Sequence, residues 1–149
     1  MNPPIDDWSG KRVWLLGASS GIGAALGRAL LARNARVALS ARQAGRLQEI
    51  AASARQALVL PCDATDDASM RTAWERLLAA WEGVDVALYV AGDYLPMRAW
   101  ELDVDKAQRM IAVNFGGAVS FAACVVPQLL RQGNGQIGFV ASVAGYRGL

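Results

Sequence analysis

Three glycines within seven positions form the stretch of the sequence with the clearest capacity for chemistry. The stretch GASSGIG, residues 17–23, follows the apolar run 13–16 and precedes a segment with helical spacing. Glycines let a ligand approach the backbone, and the free amides at a helix start attract phosphate. Two serines add hydroxyl donors. We therefore expect a dinucleotide's diphosphate to contact this turn: Gly17, Ser19, Ser20, Gly21, Ile22 and Gly23.

A glycine-rich turn alone has other interpretations. A nucleotide-binding P-loop is excluded, because no Gly-Lys-Ser/Thr follows the glycines. A turn that joins a strand to a helix without any ligand is the simpler alternative. The strand-like run before it and the helix-like run after it favour the ligand-binding interpretation.

The composition excludes several other kinds of site. The 149 residues contain no histidine, so a Ser-His-Asp triad and a His-ligated metal site are excluded. Cys62 and Cys124 lie far apart, so we predict no metal site and interpret both as reduced cysteines of a cytoplasmic protein. The net charge is +2 and the basic residues are scattered, which argues against a nucleic-acid partner.

Two segments bear on membrane association. Residues 1–11 contain prolines and acidic residues but no apolar stretch, so no signal peptide is predicted. Residues 110–130 carry no charge and are long enough to span a bilayer. Their glycines and polar side chains lower the hydrophobicity, so we predict a helix buried against a sheet and no membrane partner.

Strand-like and helix-like segments alternate along residues 1–149, which we interpret as a single domain. Short apolar runs predict five β-strands, at 12–16, 36–40, 57–60, 85–90 and 136–142. Helical spacing of apolar residues predicts helices at 21–33, 44–54, 66–81 and 104–132. This alternation predicts an α/β fold with a doubly wound parallel sheet, the Rossmann fold, in the strand order 3-2-1-4-5. The glycine turn then lies at the carboxyl edge of the sheet, where ligands bind.

The residues after the second predicted strand indicate which dinucleotide binds. An NAD site usually has a carboxylate there, which binds the ribose hydroxyls. This sequence has Ala41 and Arg42 instead. A guanidinium suits a 2′-phosphate, so we expect NADP(H) to be preferred, with NAD(H) as the other cofactor to consider. An ordinary solvated arginine is the alternative interpretation of Arg42.

Several motifs together resemble the short-chain dehydrogenase/reductase family. After GASSGIG, similar segments follow in the family's order: CDAT (62–65), YVAG (89–92), VNFGG (113–117) and FVASVAG (139–145). The resemblance runs from about Lys11 to Leu149. It implies an oxidoreductase that transfers hydride between a nicotinamide cofactor and a small carbonyl or alcohol substrate.

The resemblance also implies roles for individual residues. Asp63 is expected to contact the adenine, and Ala91 and Gly92 to lie beside the cofactor. Ser142 stands at the position of the serine that hydrogen-bonds the substrate carbonyl. Asn114 matches the helix asparagine that supports a proton relay. For both polar residues, hydrogen bonds to local backbone are the alternative interpretation.

The tyrosine that serves the family as general acid is not among these residues. By resemblance its position lies beyond Leu149, with a lysine further on, and Tyr146 has the wrong spacing. We expect these residues to form the N-terminal, cofactor-binding part of a reductase, which would be inactive alone and would lack the family's last strands. The chain could be a shortened version, a proteolytic fragment or a naturally short product. A non-catalytic NADP(H)-binding module is the alternative. An open edge at strand five predicts self-association, so we also expect a homo-oligomer.

Overall fold

The five strands of the protein form one parallel sheet, seen in a computed structural model that describes residues 4–52 and 54–143. The strands are β1 (Arg12–Leu16), β2 (Arg36–Ser40), β3 (Ala57–Val59), β4 (Val86–Tyr89) and β5 (Gln136–Phe139). Their order across the sheet is β3-β2-β1-β4-β5. The predicted doubly wound sheet and its strand order are therefore confirmed.

Helices cover both faces of the sheet, and each face has its own hydrophobic core. The helices are α1 (Gly21–Ala32), α2 (Ala44–Ala51), α3 (Asp67–Trp81), α4 (Val104–Ile111) and α5 (Gly117–Gln132). β1 shows why its sequence is continuously apolar: Trp14 points into one core and Leu15 into the other. Trp14 packs against Trp74 and Phe121, with ring centroids 5.2 and 4.6 Å away. Trp74 is thus a core residue, as its helical spacing indicated.

Several elements end earlier than the sequence predicted. α1 stops at Ala32 rather than at residue 33, and α2 at Ala51 rather than at residue 54. β5 ends at Phe139 rather than at residue 142, because β4, the strand with which it pairs, ends at Tyr89. The last bond of that ladder runs from the Val140 amide to the Tyr89 carbonyl, at 2.9 Å.

The long helix predicted over residues 104–132 is interrupted near its middle. A π-helical turn, Ala112–Gly116, joins α4 to α5. Such turns are rare and often mark functional positions. Here the π-helical turn contains Asn114, one of the residues singled out from the sequence.

The prediction that this helical run is buried is wrong for most of its length. Phe121 and Val125 are buried, but Phe115, Val119 and Leu130 are exposed. Only 17% of the most apolar window of Val104–Gln132 is buried. By length and a mean hydropathy of 1.8 this run could cross a membrane, a test that core helices also meet. The physical reason for the exposure is that a helix on one face of a sheet buries a single stripe.

Candidate cofactor site at the carboxyl edge of the sheet

The glycine turn after β1 is held in a conformation that requires its first glycine. Gly17 has φ +99°, and a Cβ there would lie 2.7 Å from the Ala91 Cα. The amides of Gly17 and Ala18 both donate to the Ser40 carbonyl, at 2.8 and 3.0 Å. The turn is therefore tied to β2 and lies directly against the chain that leaves β4.

The same turn leaves the start of α1 open. A Cβ at Gly23 would meet the Gly17 carbonyl, so only glycine lets the helix begin this close to the turn. The N-cap residue Ser20 makes no side-chain capping bond, and the first turn of α1 contains no acidic residue. The first amides of this helix therefore remain available to an anion.

A cavity of about 530 Å³ opens in front of the turn. All ten residues predicted to bind the cofactor line it. One wall is the turn itself, which contributes Gly17, Ser19, Ser20, Gly21, Ile22 and Gly23. Arg42 follows β2, Asp63 follows β3, and Ala91 with Gly92 follows β4. The sheet brings these segments together because its parallel strands all end at one edge.

Asp63 is fixed as an ionised acceptor beside the cavity. Its Oδ1 accepts from the Thr65 amide at 2.9 Å and from the Thr65 hydroxyl at 2.8 Å. The amide bond lowers the pKa of Asp63 most, burial opposes it, and the hydroxyl and the charge of Arg42 lower the pKa further. Asp63 is therefore an ionised carboxylate at neutral pH, and it is attracted electrostatically by the guanidinium of Arg42.

The side chain of Asn114 contacts the site through the backbone of Asp93, which lies beside the cavity. The Asn114 Oδ1 accepts from the Asp93 amide at 2.7 Å, and its Nδ2 donates to the Asp93 carbonyl at 2.8 Å. The Asp93 carboxylate in turn accepts from the Arg109 Nε at 2.7 Å. Asp93 and Val113 line the cavity, whereas Asn114 does not. The side chain of Asn114 thus holds the loop after β4 against the π-helical turn, and its part in a proton relay stays a prediction.

Tyr89 ties the sheet to the same helical turn. Its hydroxyl donates to the Val113 carbonyl, and its ring packs against Phe121, with centroids 5.6 Å apart. A Cβ at Gly117 would collide with this hydroxyl, so the glycine is what permits the approach. Burial raises the pKa of Tyr89 to about 12, which keeps the hydroxyl protonated as a donor.

The predicted active-site serine is not among the residues that line the cavity. Ser142 comes after the end of β5, is exposed, and does not line the cavity. Its predicted contact with a substrate carbonyl stays a prediction. Tyr146 lies outside the described residues. Within residues 4–52 and 54–143, no group of three or more Cys, Asp or Glu side chains could hold a metal ion.

Sequence reasoning missed some residues that line the cavity. Arg46 and Gln43 line it from the start of α2, and Cys62 from the end of β3. Arg46 could have been found, because the first turn of a helix that follows β2 must begin near the carboxyl edge of the sheet. Burial raises the pKa of Cys62 to about 11, so its thiol is not a nucleophile at neutral pH.

Comparison with known proteins relates the whole sheet and its cavity to one family. The short chain dehydrogenase family model matches residues 11–149. The dehydrogenase/reductase SDR family member 7 of Mus musculus is 31% identical over 156 residues, which cover 93% of this chain and 46% of that protein. An uncharacterized oxidoreductase of Staphylococcus aureus (strain N315) is 30% identical, over 87% of this chain and 57% of its own. The chain thus spans about half the length of these curated relatives.

Solved structures show the same architecture. A short-chain type dehydrogenase/reductase from Mycobacterium marinum superposes with a TM-score of 0.90 at 29% identity, over 96% of this chain and 60% of that one. The serine dehydrogenase from Escherichia coli gives a TM-score of 0.87 at 26% identity, over 92% and 64%.

Proposed function

Because the chain belongs to the short-chain dehydrogenase family, we propose that it binds NADP(H) and supplies the cofactor site of an oxidoreductase. Members of this family use NAD(P)(H), act on small molecules and commonly form oligomers. In the proposed reaction, hydride passes between NADP(H) and a carbonyl or alcohol substrate. We also propose a cytoplasmic homo-oligomer, which the exposed apolar side chains of α4 and α5 support.

The observation that carries this proposal is the cavity at the carboxyl edge of the sheet. Its glycine turn leaves the room that a diphosphate needs, and the first amides of α1 would bind the phosphate oxygens. The adenine would lie beside Asp63, and the nicotinamide end of the cofactor beside Gly92. When bound, the cofactor supplies or accepts the hydride, while these residues bind and orient it.

The preference for NADP(H) is proposed from the charges that follow β2. The segment contains Ala41, Arg42 and Gln43, so no carboxylate is present to bind a ribose 2′-hydroxyl or to repel a 2′-phosphate. Arg42 lines the cavity and offers a planar donor that suits a phosphate. The same position would give NAD(H) no comparable bond.

Titration of the chain with NADPH and with NADH tests this proposal. Arg42→Ala removes one charged hydrogen-bonding group, which contributes about 1.5–3 kcal/mol, so the Kd for NADPH should rise roughly 10- to 150-fold. The Kd for NADH should stay within about twofold of the unmodified chain. Arg76→Ala, at an exposed arginine of α3 that does not line the cavity, is the matched control. Equal losses for both cofactors would contradict the NADP(H) preference.

A non-catalytic NADP(H)-binding module is the second candidate. It is supported by the cavity itself, because every residue proposed to bind the cofactor lies within the 149 residues. Any segment of the protein that follows Leu149 decides between the two. A Tyr-x-x-x-Lys there, together with oxidation of NADPH by carbonyl compounds, supports the enzyme. NADPH binding by a natural protein that lacks the motif supports the module.

A further inference from the structure

We propose that Arg109 sets the relative affinity of the site for NADP⁺ and NADPH, because it neutralises the Asp93 carboxylate at the nicotinamide end of the cavity. This inference rests on the proposed function, because it requires that the cavity binds NADP(H). Arg109 is a positioning residue that acts on the cofactor through Asp93, since Asp93 lines the cavity and Arg109 does not.

The order of the strands distinguishes the two ends of the cavity. Arg42 follows β2 and Asp63 follows β3, so the adenosine half of the cofactor would lie on that side of the glycine turn. Gly92 and Asp93 follow β4, on the opposite side of β1. A dinucleotide whose diphosphate lies at the turn after β1 therefore extends its nicotinamide half toward Asp93.

Asp93 is held in place through both its backbone and its side chain. The Asn114 side chain binds the Asp93 amide and carbonyl, at 2.7 and 2.8 Å. The Asp93 carboxylate accepts from the Arg109 Nε at 2.7 Å, and the Asp93 side chain is 20% exposed. A short hydrogen bond between two opposite charges makes a nearly neutral pair. Asp93 therefore presents little net charge to the cavity while Arg109 is in place.

The other charged residues nearby do not replace Arg109. In the part of the chain that the structure describes, Arg109 is the one cation within 4.0 Å of the Asp93 carboxylate. Lys106, three residues earlier on α4, pairs instead with Asp103 at 3.3 Å. The charged residues besides Asp93 that line the cavity lie on the side of β2 and β3: Arg42, Arg46 and Asp63. Loss of Arg109 would therefore leave the carboxylate of Asp93 without a neighbouring cation.

The two forms of the cofactor differ in charge at the nicotinamide end alone. The nicotinamide ring is positively charged in NADP⁺ and uncharged in NADPH, whereas the phosphates are the same in both. An unpaired Asp93 carboxylate would attract the oxidised ring, and such an attraction acts over a screening length of about 8 Å at physiological salt. The ratio of the Kd for NADP⁺ to the Kd for NADPH therefore reports the charge at Asp93, because effects on the phosphates cancel in it.

The test measures the Kd values of NADP⁺, NADPH and 2′,5′-ADP by calorimetric titration. It compares the unmodified chain with Arg109→Gln, Arg109→Lys, the double variant Arg109→Gln/Asp93→Asn, and Lys106→Gln. Lys106→Gln is the matched control, because it removes one positive charge from the same helix while its partner Asp103 does not line the cavity. Circular dichroism confirms that each chain remains folded.

The expected result is a change in the ratio of the Kd values for NADP⁺ and NADPH. In Arg109→Gln this ratio should fall about three- to tenfold. A tenfold fall lowers the midpoint potential of the bound cofactor by about 30 mV. Arg109→Lys keeps the positive charge and the double variant lacks both charges, so each should keep the ratio within about twofold of the unmodified chain. The Kd of 2′,5′-ADP, which has no nicotinamide, should stay within about twofold in every variant.

The inference is refuted by several distinct results. A fall of less than about threefold in Arg109→Gln would show that its charge does not act on the nicotinamide. A similar fall in the double variant or in Lys106→Gln would show that the effect does not come from Asp93. Equal weakening of all three ligands in Arg109→Gln would show a purely structural role.

These results are distinguishable from a failure of the proposed function. If the unmodified chain binds neither NADP⁺ nor NADPH, the proposed function fails and the role of Arg109 fails with it. In each of the other cases the unmodified chain still binds both forms of the cofactor, so only the role of Arg109 is refuted.

Discussion

Gly17→Ala is the substitution that most directly tests the geometry of the cofactor site. The new Cβ would lie 2.7 Å from the Ala91 Cα and equally close to the Val90 carbonyl carbon. Both are backbone atoms, which cannot rotate away as a flexible side chain can. Relief therefore requires that the turn after β1 and the chain after β4 move apart, which changes the wall of the cavity.

The expected cost has two parts. An L-residue at φ +99° is strained by about 1–3 kcal/mol. Forcing extra volume into a packed site costs about 1–3 kcal/mol more. The sum, about 2–6 kcal/mol, is a large share of the roughly 5–15 kcal/mol that stabilises a typical domain. At about 2–4 °C per kcal/mol for a chain of this size, the Tm should fall by at least about 4 °C.

Two matched alanine variants separate strain from collision in a thermal-unfolding assay. Gly21 has φ +51° but open space around its missing Cβ, so Gly21→Ala should lose only the strain, about 1–2 kcal/mol. Gly45 has open space and lies within α2, so Gly45→Ala should be neutral or gain about 0.5–1 kcal/mol. A Tm for Gly17→Ala no lower than that of Gly21→Ala would refute the reasoning from backbone collision.

Two further substitutions test contacts that position the sheet and the π-helical turn. Arg12 donates three hydrogen bonds to the Asp85 carboxylate, from its amide, Nε and Nη2. Burial raises the pKa of Asp85, but these hydrogen bonds outweigh burial, so the pKa of Asp85 is lowered. Because the pKa of Asp85 is lower in the folded state, the pair with Arg12 stabilises the fold above the pKa of an unfolded aspartate, about 3.9. The Tm should therefore fall as acid protonates Asp85, and Asp85→Asn should reduce this dependence of Tm on acid. An unchanged acid profile of the Tm in Asp85→Asn would count against the Arg12–Asp85 pair. Tyr89→Phe removes the bond to the Val113 carbonyl and should cost about 0.5–1.5 kcal/mol, whereas Tyr94→Phe, at a tyrosine that is 78% exposed, should cost nothing measurable. Because the pKa of Tyr89 is raised to about 12, unmodified protein should also lose stability above about pH 10, and this loss should be smaller in Tyr89→Phe, where Cys62 still contributes.

Much of the sheet could be predicted because its strands have the sequence pattern of buried parallel strands. The run at Arg12–Leu16 is apolar on both faces, and the structure packs both faces. The interruption of the helix at residues 112–116 could not be predicted in this way. Residues 110–130 are uncharged throughout, so nothing in their pattern marks a change of helix type. Only contacts distant in sequence, such as that of Tyr89 with Val113, select the π-helical turn.

The cavity was more predictable than the catalytic end of the site. The residues predicted to bind the cofactor directly follow strand ends, and a parallel sheet must bring such positions to one edge. Asn114 fits its motif, but the sequence does not show that its side chain bonds to the backbone of Asp93. Arg46 was missed because it belongs to no motif, although its place in the first turn of the helix after β2 indicates the same edge of the sheet.

The π-helical turn determines which side of the following helix, α5, faces the sheet. Each residue of a helix turns the chain by about 100°, so the wider turn at Ala112–Gly116 shifts the angular setting of α5 relative to α4. Deleting one residue there would rotate Phe121 and Val125 away from the core and present a different stripe to the sheet. Apart from Asn114, whose side chain binds the Asp93 backbone, this short segment should therefore tolerate exchange of side chains far better than any change in its length.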